Sequence, residues 1–403
     1  MQVILVGPLP PPCSGPEMVT ETLLESGAPW IHFRHVDLSS GLNRGKGRWT
    51  VGALVRTAKQ LTRLTWVLWT QRKESKIVHL PLSQSTTGVL RDVALIRLAG
   101  LFHYRIVVQF HGGDFLRFYW SSSFRARILK VLESLDILLV FDKELIKQFP
   151  FVNEDKIRVL VNPVPANWVR AWPSLSRLAP VQDSQPLVIL YMSHLSVAKG
   201  LVDLFEALRL LPDEKEWEVH LAGEIVDIER NIVWPKKDMN YGWDQARHII
   251  HLNHWEGRVH YHGVVTDEDK IALFAQSHVL VLPSYSEGMP VVILEAMYAG
   301  LGVIASKVGA IGSLISPAFL HDPGDVAQLA DKLWRMTPEK ARRVGQTNRR
   351  MMERGYLANQ VIPQLQRVYE SLEPGMRTSA SQKLRVIRPG KKMKPAGKTK
   401  RRT

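Results

Sequence analysis

Cysteine is almost absent from this sequence, since Cys13 is the only one among 403 residues. A single cysteine excludes a disulfide framework and fits a reducing compartment. Long apolar runs are also missing, and no stretch approaches the ~18 consecutive apolar residues that mark a membrane-spanning helix. The opening residues MQVILVG form a strand-like pattern without the basic region of a signal peptide. We therefore expect the protein to stay in the cytoplasm.

Familiar cofactor and catalytic motifs are missing as well. The sequence has no G-x-G-x-x-G dinucleotide fingerprint, no Walker loop and no G-x-S-x-G nucleophile elbow. The pair Asp267-x-Asp269 precedes an apolar helical pattern, which favours a helix cap over a metal site. His248, His251 and His254 follow at intervals of three, not at the i, i+4 spacing of a helical metal site. We expect no essential metal and no other cofactor.

Acidic residues are absent after Glu373, where basic residues are abundant. The net charge of the chain is +15, and eleven lysines and arginines follow Glu373, which leaves +4 for residues 1–373. With its prolines, glycines and serines, the segment 374–403 is predicted to be disordered. Its charge suits contact with an anionic membrane. The alternative is a weakly interacting, solubilising extension.

A second basic stretch, residues 44–69, also carries tryptophans. Arginines and lysines alternate there with leucines and with Trp49, Trp66 and Trp69. A basic, tryptophan-bearing helix is typical of segments that lie on membrane interfaces. The alternative is an ordinary surface helix that packs its leucines and tryptophans inward. Together with the tail, this stretch predicts peripheral contact with an anionic membrane face, without specific nucleic-acid binding.

Strand and helix patterns alternate along the chain, which predicts parallel α/β layers. They occur in two series, separated by a proline-rich stretch with little periodicity that is typical of a linker. The predicted units are residues 1–165 (N-terminal domain), 166–186 (linker), 187–355 (C-terminal domain), 356–373 (a helix packing back toward the first domain) and 374–403 (basic tail).

The most informative stretch is PSYSEGMPVVILEAMYAGLG, which begins at Pro283 and has Glu287 and Glu295 separated by seven residues. The apolar run before it predicts a buried strand, its first residues are typical of a turn, and those after Pro290 predict a helix. Glu287 thus belongs to a loop at the carboxyl end of a strand, where open α/β sheets bind ligands. The alternative is a solvated loop glutamate followed by a glutamate that complements the helix dipole.

Three other predicted loops at strand ends carry polar or glycine-rich chemistry. Gly15 ends a proline-rich loop, where its small size permits close approach of a phosphate. His111 follows a buried strand and precedes two glycines, which suits a polar contact to a substrate; a core or capping histidine is the alternative. Lys199 lies where a helix begins, which is unfavourable for a cation unless an anion is close. It is therefore a candidate diphosphate ligand, with an ordinary surface lysine as the alternative.

These loops, in this order, make the chain similar to the retaining GT-B glycosyltransferases of family 4, the glycosyl transferases group 1. Five segments of the second half carry the resemblance: LVILYMSHLSVAKGLVDLFEAL, VHLAGE, VHYHGVV, VLVLPSYSEGMPVVILEAM and AGLGVIASKVGAI. The first half matches weakly, through VGPLPPPCSG, QFHGGDF and KIRVLVNPV. The resemblance implies a GT-B architecture, in which two Rossmann-like domains with parallel sheets face a central cleft. It also implies sugar transfer from a nucleotide-sugar donor.

The resemblance also implies roles for the residues around the donor sugar. Glu287 would hold sugar hydroxyls, and His111 would touch the transferred sugar near its reacting carbon. Lys199 would neutralise the diphosphate, which makes these three residues the catalytic candidates. Backbone amides that would assist Glu287 are those of Gly288, Met289 and Val291.

The resemblance also implies which residues bind the nucleotide part of the donor. Glu295 would bind the ribose hydroxyls, and Gly15 would give the diphosphate room and an amide. The family usually has an arginine five residues before the loop lysine, but this chain has His194. Since an imidazole lacks the fixed charge and bidentate geometry of a guanidinium, diphosphate affinity should be lower or more sensitive to pH, unless another basic residue substitutes. The segment expected to border the base consists of His262, Gly263 and Val264.

The predicted reaction is glycosyl transfer with retention, in which the donor phosphate takes the proton of the acceptor. The acceptor would be a glycan or a lipid-linked sugar in the synthesis of a cell-surface polysaccharide or glycolipid. Two alternatives stay open. One keeps the fold but changes the reaction to that of a sugar-nucleotide epimerase or a phosphorylase. The other is a non-enzymatic protein that binds anionic membranes or nucleic acid through its basic tail.

Overall fold

The computed structural model describes residues 1–11, 15–26, 29–39, 51–172, 185–226 and 242–373. Two six-stranded sheets, in which the neighbouring strands are parallel, organise these residues. Three predicted features fall outside this part of the chain: the basic tail, the first seven residues of the stretch 44–69 and most of the predicted linker.

The first sheet consists of β1 (Gln2–Gly7), β2 (His32–Asp37), β3 (Ser75–Leu82), β4 (Arg105–Phe110), β5 (Ile137–Val140) and β6 (Ile157–Val159). The helices of this half are α1 (Gly15–Glu25), α2 (Val51–Gln71), α3 (Thr86–Leu101), α4 (Phe115–Ser121), α5 (Arg125–Glu133) and α6 (Ala166–Ala171). The strand order is β2-β1-β3-β4-β5-β6. Most of these strands are buried apolar runs, as expected for parallel strands covered by helices on both faces.

The second sheet consists of β7 (Leu187–Met192), β8 (Trp217–Ala222), β9 (Val259–Tyr261), β10 (Val279–Leu282), β11 (Gly302–Ser306) and β12 (Leu320–His321). Its helices are α7 (Leu201–Arg209), α8 (Gly242–Leu252), α9 (Asp267–Gln276), α10 (Val291–Ala299), α11 (Ile311–Leu314), α12 (Val326–Trp334), α13 (Pro338–Gly355) and α14 (Ala358–Glu370). The strand order is β12-β11-β10-β7-β8-β9. The chain therefore winds outward from β7 to β9 and then returns to the other side of β7 with β10.

The last helix, α14, packs on the first half although it follows the second half in sequence. Its apolar residues recur at helical spacing and share one core cluster with Val3 and Leu5 of β1. The hydroxyl of Tyr369 lies 2.6 Å from Nδ1 of His79 on β3, and both side chains are buried. Burial, reinforced by the nearby His111, lowers the pKa of His79 to about 3, so its ring is neutral near pH 7.

The two halves are joined at a point where two segments of the chain meet. The backbone N–H of Val164, on the outward connection, donates to the carbonyl of Tyr356 on the return connection, at 2.7 Å. The first six residues of the predicted linker are not irregular but form α6. Proline content concealed this helix, because packing stabilises it: the Trp168 ring lies 4.8 Å from that of Phe274 on α9, between ring centroids.

Helix α2 leaves part of its apolar surface uncovered. Leu64 and Leu68 are buried against the first sheet, but Trp66 and Trp69 are 63% and 52% exposed. The alternative in which both tryptophans pack inward is therefore wrong for these two residues. In the described residues, no helix combines the length and the apolar character that a membrane crossing requires.

Candidate functional site

The loops that follow β7 and β10 meet at the edge of the second sheet. These two strands are neighbours at the point where the winding direction reverses, and open α/β sheets bind ligands at such a point. The loop after β7 carries Lys199, and the loop after β10 carries Glu287. The strand order therefore brings together two residues that are 88 positions apart in the sequence.

Lys199 and Glu287 form an ion pair, with Nζ of the lysine 2.7 Å from Oε1 of the glutamate. Their side chains are 23% and 13% exposed, so solvent screens the pair less than it would a surface pair. The anion that the sequence predicts beside Lys199 is, in this arrangement, the carboxylate of Glu287. The pair joins two residues that the resemblance assigned to different parts of the donor.

The two loops are tied to each other through their backbones. The N–H of Tyr285 donates to the carbonyl of Ala198 at 3.0 Å. Gly200 has a φ of +71°, and a Cβ at this position would lie 2.1 Å from the carbonyl oxygen of Pro283. Burial, with a hydrogen bond to Asp203, raises the pKa of the Tyr285 hydroxyl, which stays neutral. The backbone contacts hold the two loops that carry Lys199 and Glu287 at a fixed separation.

The first half closes on the Glu287 loop from the opposite side. A Cβ on Gly113 would lie 1.8 Å from the carbonyl oxygen of Glu287, and one on Gly288 would lie 2.3 Å from that of His111. Only glycines permit this approach of two backbones. On its other flank, the carbonyl of Gly288 accepts from the N–H of Ala310 at 2.8 Å. The Glu287 loop is thus enclosed between His111–Gly113 and Ala310.

His111 is partly buried at this junction, with its ring centroid 5.6 Å from that of Phe141. Burial lowers its pKa to about 4, so the imidazole is neutral near pH 7. A neutral ring can donate and accept hydrogen bonds, but it supplies no charge to offset a phosphate.

The titration of His111 predicts that the free energy of unfolding falls as the pH is lowered from about 6.5 toward 4. In the unfolded chain the ring takes up its proton near the ordinary pKa, whereas the folded ring does so only near pH 4. The unfolded state therefore binds more protons in this window, and stability is lost as the pH falls. Urea unfolding at pH 7 and pH 5 measures the difference. It should be smaller in His111→Gln than in the wild type, and an equal difference in both would contradict the prediction.

Glu295 is buried on α10 and has a lysine of its own. Nζ of Lys270, on α9, lies 2.6 Å from Oε1 of Glu295. Lys270 was not predicted as a site residue, because it directly follows three acidic residues at the start of α9 and the sequence therefore gives no sign that it needs a further anion.

The predicted amide donors lie at the start of α10, where the first N–H groups of a helix have no intrahelical partner. Met289 and Val291 are both buried and pack against residues of the first half. The carbonyl of Met289 accepts from Nδ2 of Asn162 at 3.1 Å. Gly15 begins α1, and a Cβ there would meet no atom within 4 Å; residues 12–14 of its loop lie outside the described residues.

His194 lies in the loop after β7, five residues before Lys199, and the predicted base-binding segment follows β9. His194 is exposed, and its carbonyl accepts from the hydroxyl of Tyr191 at 3.1 Å. The carbonyl of Gly263 accepts from the N–H of Gly223 at 2.7 Å, and Val264 is exposed. The ring of His262 faces the sheet, where its Nε2 lies 2.9 Å from Nδ1 of His220.

The described part of the chain was predicted to hold no metal site, and its possible ligand side chains are arranged as follows. Histidine, cysteine and acidic side chains do not come together there in a group of three or more that could hold a metal ion. Three histidines of the second half are stacked, with the ring of His220 lying 5.1 Å from those of His260 and His262, between centroids.

Comparison with known proteins agrees with the resemblance drawn from the five segments. The family model described as Glycosyl transferases group 1 matches residues 177–356. The MMP alpha-(1->4)-mannosyltransferase of Mycolicibacterium hassiacum is 34% identical over 118 residues, which are 28% of this chain and 29% of that protein. The O-antigen chain mannosyltransferase B of Escherichia coli is 30% identical over 158 residues, 36% of this chain and 38% of that protein. The matched stretches thus span well under half of either relative.

A solved structure matches over nearly the whole chain. Anabaena Alr3699/HepE in complex with UDP-glucose superposes with a TM-score of 0.64 and 17% identity, covering 92% of this chain and 100% of that one. At this identity the likeness establishes the fold alone. The chain has the GT-B fold, and its residues 177–356 match the glycosyl transferases group 1 family.

Proposed function

We propose that this protein transfers a sugar from a nucleotide-sugar donor to an acceptor hydroxyl, with retention of configuration at the anomeric carbon. The observation that carries the proposal is the Lys199–Glu287 pair at the reversal point of the second sheet, enclosed by the His111–Gly113 loop. Two relatives named as mannosyltransferases and a solved neighbour with UDP-glucose support a nucleotide-sugar donor.

The ion pair suggests how the donor is received. A diphosphate carries more negative charge than a single carboxylate, so it competes with Glu287 for Nζ of Lys199. As the lysine turns to the phosphates, the carboxylate of Glu287 becomes available to accept hydrogen bonds from sugar hydroxyls. The N-terminus of α10 adds N–H groups that favour negative charge.

The same groups stabilise the departing diphosphate. Negative charge develops on the leaving phosphate as the bond to the sugar breaks, and a fixed cation stabilises the transition state more than the ground state. The neutral ring of His111 lies across the cleft, where it can hydrogen-bond the sugar without adding charge. The acceptor attacks on the face that the phosphate leaves, and a phosphate oxygen takes its proton.

Donor binding provides the test of this function. The wild-type protein should be stabilised by one class among UDP-, GDP- and ADP-sugars, because a ligand at about 100 times its Kd adds about 2.7 kcal/mol to the free energy of unfolding. In Glu287→Gln, the sugar nucleotide should bind no more tightly than the nucleoside diphosphate alone. Thermal shift and calorimetry measure both. The proposal fails if none of these donors binds, or if Glu287→Gln transfers sugar at the wild-type rate.

The acceptor side is proposed to lie at the cytoplasmic face of an anionic membrane. Trp66 and Trp69 project from α2 beside the exposed Lys59 and Arg63, and the guanidinium of Arg72 lies 5.6 Å from the Trp69 ring centroid. Exposed indoles flanked by cations suit the interface of an anionic bilayer. A glycan or lipid-linked acceptor would then be presented to the first half of the protein.

Vesicle sedimentation tests this surface. The wild type should bind phosphatidylglycerol vesicles at low salt more than at high salt, and should bind phosphatidylcholine vesicles weakly. Replacing Trp66 and Trp69 together by serine should reduce binding about tenfold or more, because each indole buries apolar area in the interface. Trp120→Ser is the matched control, since Trp120 is 62% exposed on α4. Equal binding by all three proteins would remove α2 from the proposal.

A further inference from the structure

Glu295, the second of the two glutamates separated by seven residues, is deeply buried. Its side chain is 3% exposed, and that of its partner Lys270 is 19% exposed. A carboxylate this deeply buried is tolerated only when it is paired and hydrogen-bonded. Lys270 is itself held from another side, since its Nζ lies 5.1 Å from the ring centroid of Trp168.

Trp168 contacts both members of this pair. Its Nε1 donates to the backbone carbonyl of Glu295 at 3.1 Å, while its ring lies beneath Lys270. The same ring packs on Phe274 of α9, the helix that carries Lys270. Trp168, Lys270 and Glu295 therefore form one unit, which we call the ribose clamp.

The two lysine–glutamate pairs of the cleft differ in how far their side chains are exposed to solvent. The Lys199–Glu287 pair is more open, with exposed fractions of 23% and 13%. Lys270 contacts both a carboxylate and an indole, which leaves it less able to turn toward an incoming anion. An ionised carboxylate offers about four lone-pair sites, so the bond to Lys270 leaves Glu295 able to accept from further donors.

We propose that Lys270 is a positioning residue, which holds the Glu295 carboxylate in the orientation that accepts hydrogen bonds from the ribose hydroxyls of the donor, with Trp168 holding both. The inference rests on the proposed function, because it requires a nucleotide donor in the cleft. In this proposal the ribose clamp distinguishes ribonucleotides from deoxyribonucleotides, and Lys199 binds the diphosphate.

Calorimetry with nucleoside diphosphates tests the clamp. The probes are UDP, GDP and ADP, and the one that the wild type binds most tightly is compared with its 2′-deoxy counterpart. The wild type should prefer the ribonucleotide by about 10-fold or more, as expected for a hydroxyl bonded to a charged acceptor. Lys270→Met should reduce this preference to less than about 3-fold. The binding of the ribonucleotide becomes weaker because the Glu295 carboxylate is no longer held in place.

Lys215→Met is the matched control. Nζ of Lys215 also lies over an indole, 5.9 Å from the Trp334 ring centroid, and donates to backbone carbonyls of the second half. It should keep the full preference for the ribonucleotide. Lys270→Arg keeps an ion pair with Glu295 and should restore most of the preference, and Trp168→Phe should lie between Lys270→Met and the wild type.

The remaining outcomes separate this inference from the proposed function. If Lys270→Met weakens the binding of the ribonucleotide and of its 2′-deoxy counterpart by the same factor, Lys270 contacts the phosphates, and the clamp is overturned. Lys270→Arg serves the same test where Lys270→Met does not fold. Unchanged selectivity in both Lys270→Met and Trp168→Phe also overturns it. If the wild type binds none of the nucleoside diphosphates, the proposed function fails and the clamp fails with it.

Discussion

Replacing Lys199 by alanine should lower kcat for sugar transfer by about 10²- to 10³-fold, the usual cost of losing one group aimed at developing charge. Nζ of Lys199 is held in the cleft by the carboxylate of Glu287, at 2.7 Å. The charge of Lys199 stabilises the diphosphate of the donor, and this stabilisation is largest when the bond between phosphate and sugar is breaking. KM should change less than kcat for the same reason.

Steady-state transfer with the donor class identified by binding provides the measurement. Lys199→Arg keeps the charge but alters its geometry, so it should recover part of the lost rate. Lys215→Ala removes a lysine from the same half outside the cleft and should leave kcat unchanged. If Lys199→Ala turned over at the wild-type rate while remaining folded, the assignment of the diphosphate site would be wrong.

Replacing Gly113 by alanine should reduce kcat/KM by about 100-fold, which is the scale expected for a displacement of about 1 Å between reacting groups. The added Cβ would lie 1.8 Å from the carbonyl oxygen of Glu287, and backbone atoms of that loop cannot turn aside as a flexible side chain can. The two halves must therefore separate where His111 and Glu287 face each other. Each half should keep its fold, because the clash lies at their junction.

Gly257→Ala is the control for this substitution, since a Cβ at that position would meet no atom within 4 Å. It should retain wild-type transfer. Circular dichroism and urea unfolding confirm that Gly113→Ala is folded. Wild-type kcat/KM in folded Gly113→Ala would show that the closed contact between Gly113 and Glu287 is not needed for transfer.

Most strands could be predicted because they are short apolar runs bounded by turn residues. Two could not. In β2 (His32–Asp37) only Val36 is buried, polar residues outnumber apolar ones and the strand lies at the edge of the sheet, so the apolar signal is weak. β12 (Leu320–His321) has two residues, too few for any periodicity. Pairing with a neighbouring strand, rather than composition, makes these segments strands.

The positions of the candidate site residues at strand ends could be predicted one by one, but their arrangement in space could not. Glu287, Lys199 and His111 each follow an apolar run, so their positions at strand ends can be read locally. That Lys199 pairs with Glu287 depends on β7 lying beside β10, which is a non-local fact of strand order. Trp168 was concealed for a similar reason, because its role depends on contacts with α9 and α10.

The hydrogen bond between Val164 and Tyr356 has a mechanical consequence. The described residues of both connections meet at this point, so a rotation of the halves about it would displace these residues least. We therefore expect this junction to act as a hinge, so that the cleft opens by rotation rather than by sliding. Displacement in such a rotation grows with distance from the pivot. Trp168 lies about one helical turn after this pivot. Its hydrogen bond to Glu295 should therefore be kept while the open edge of the cleft widens to admit the donor and release the product.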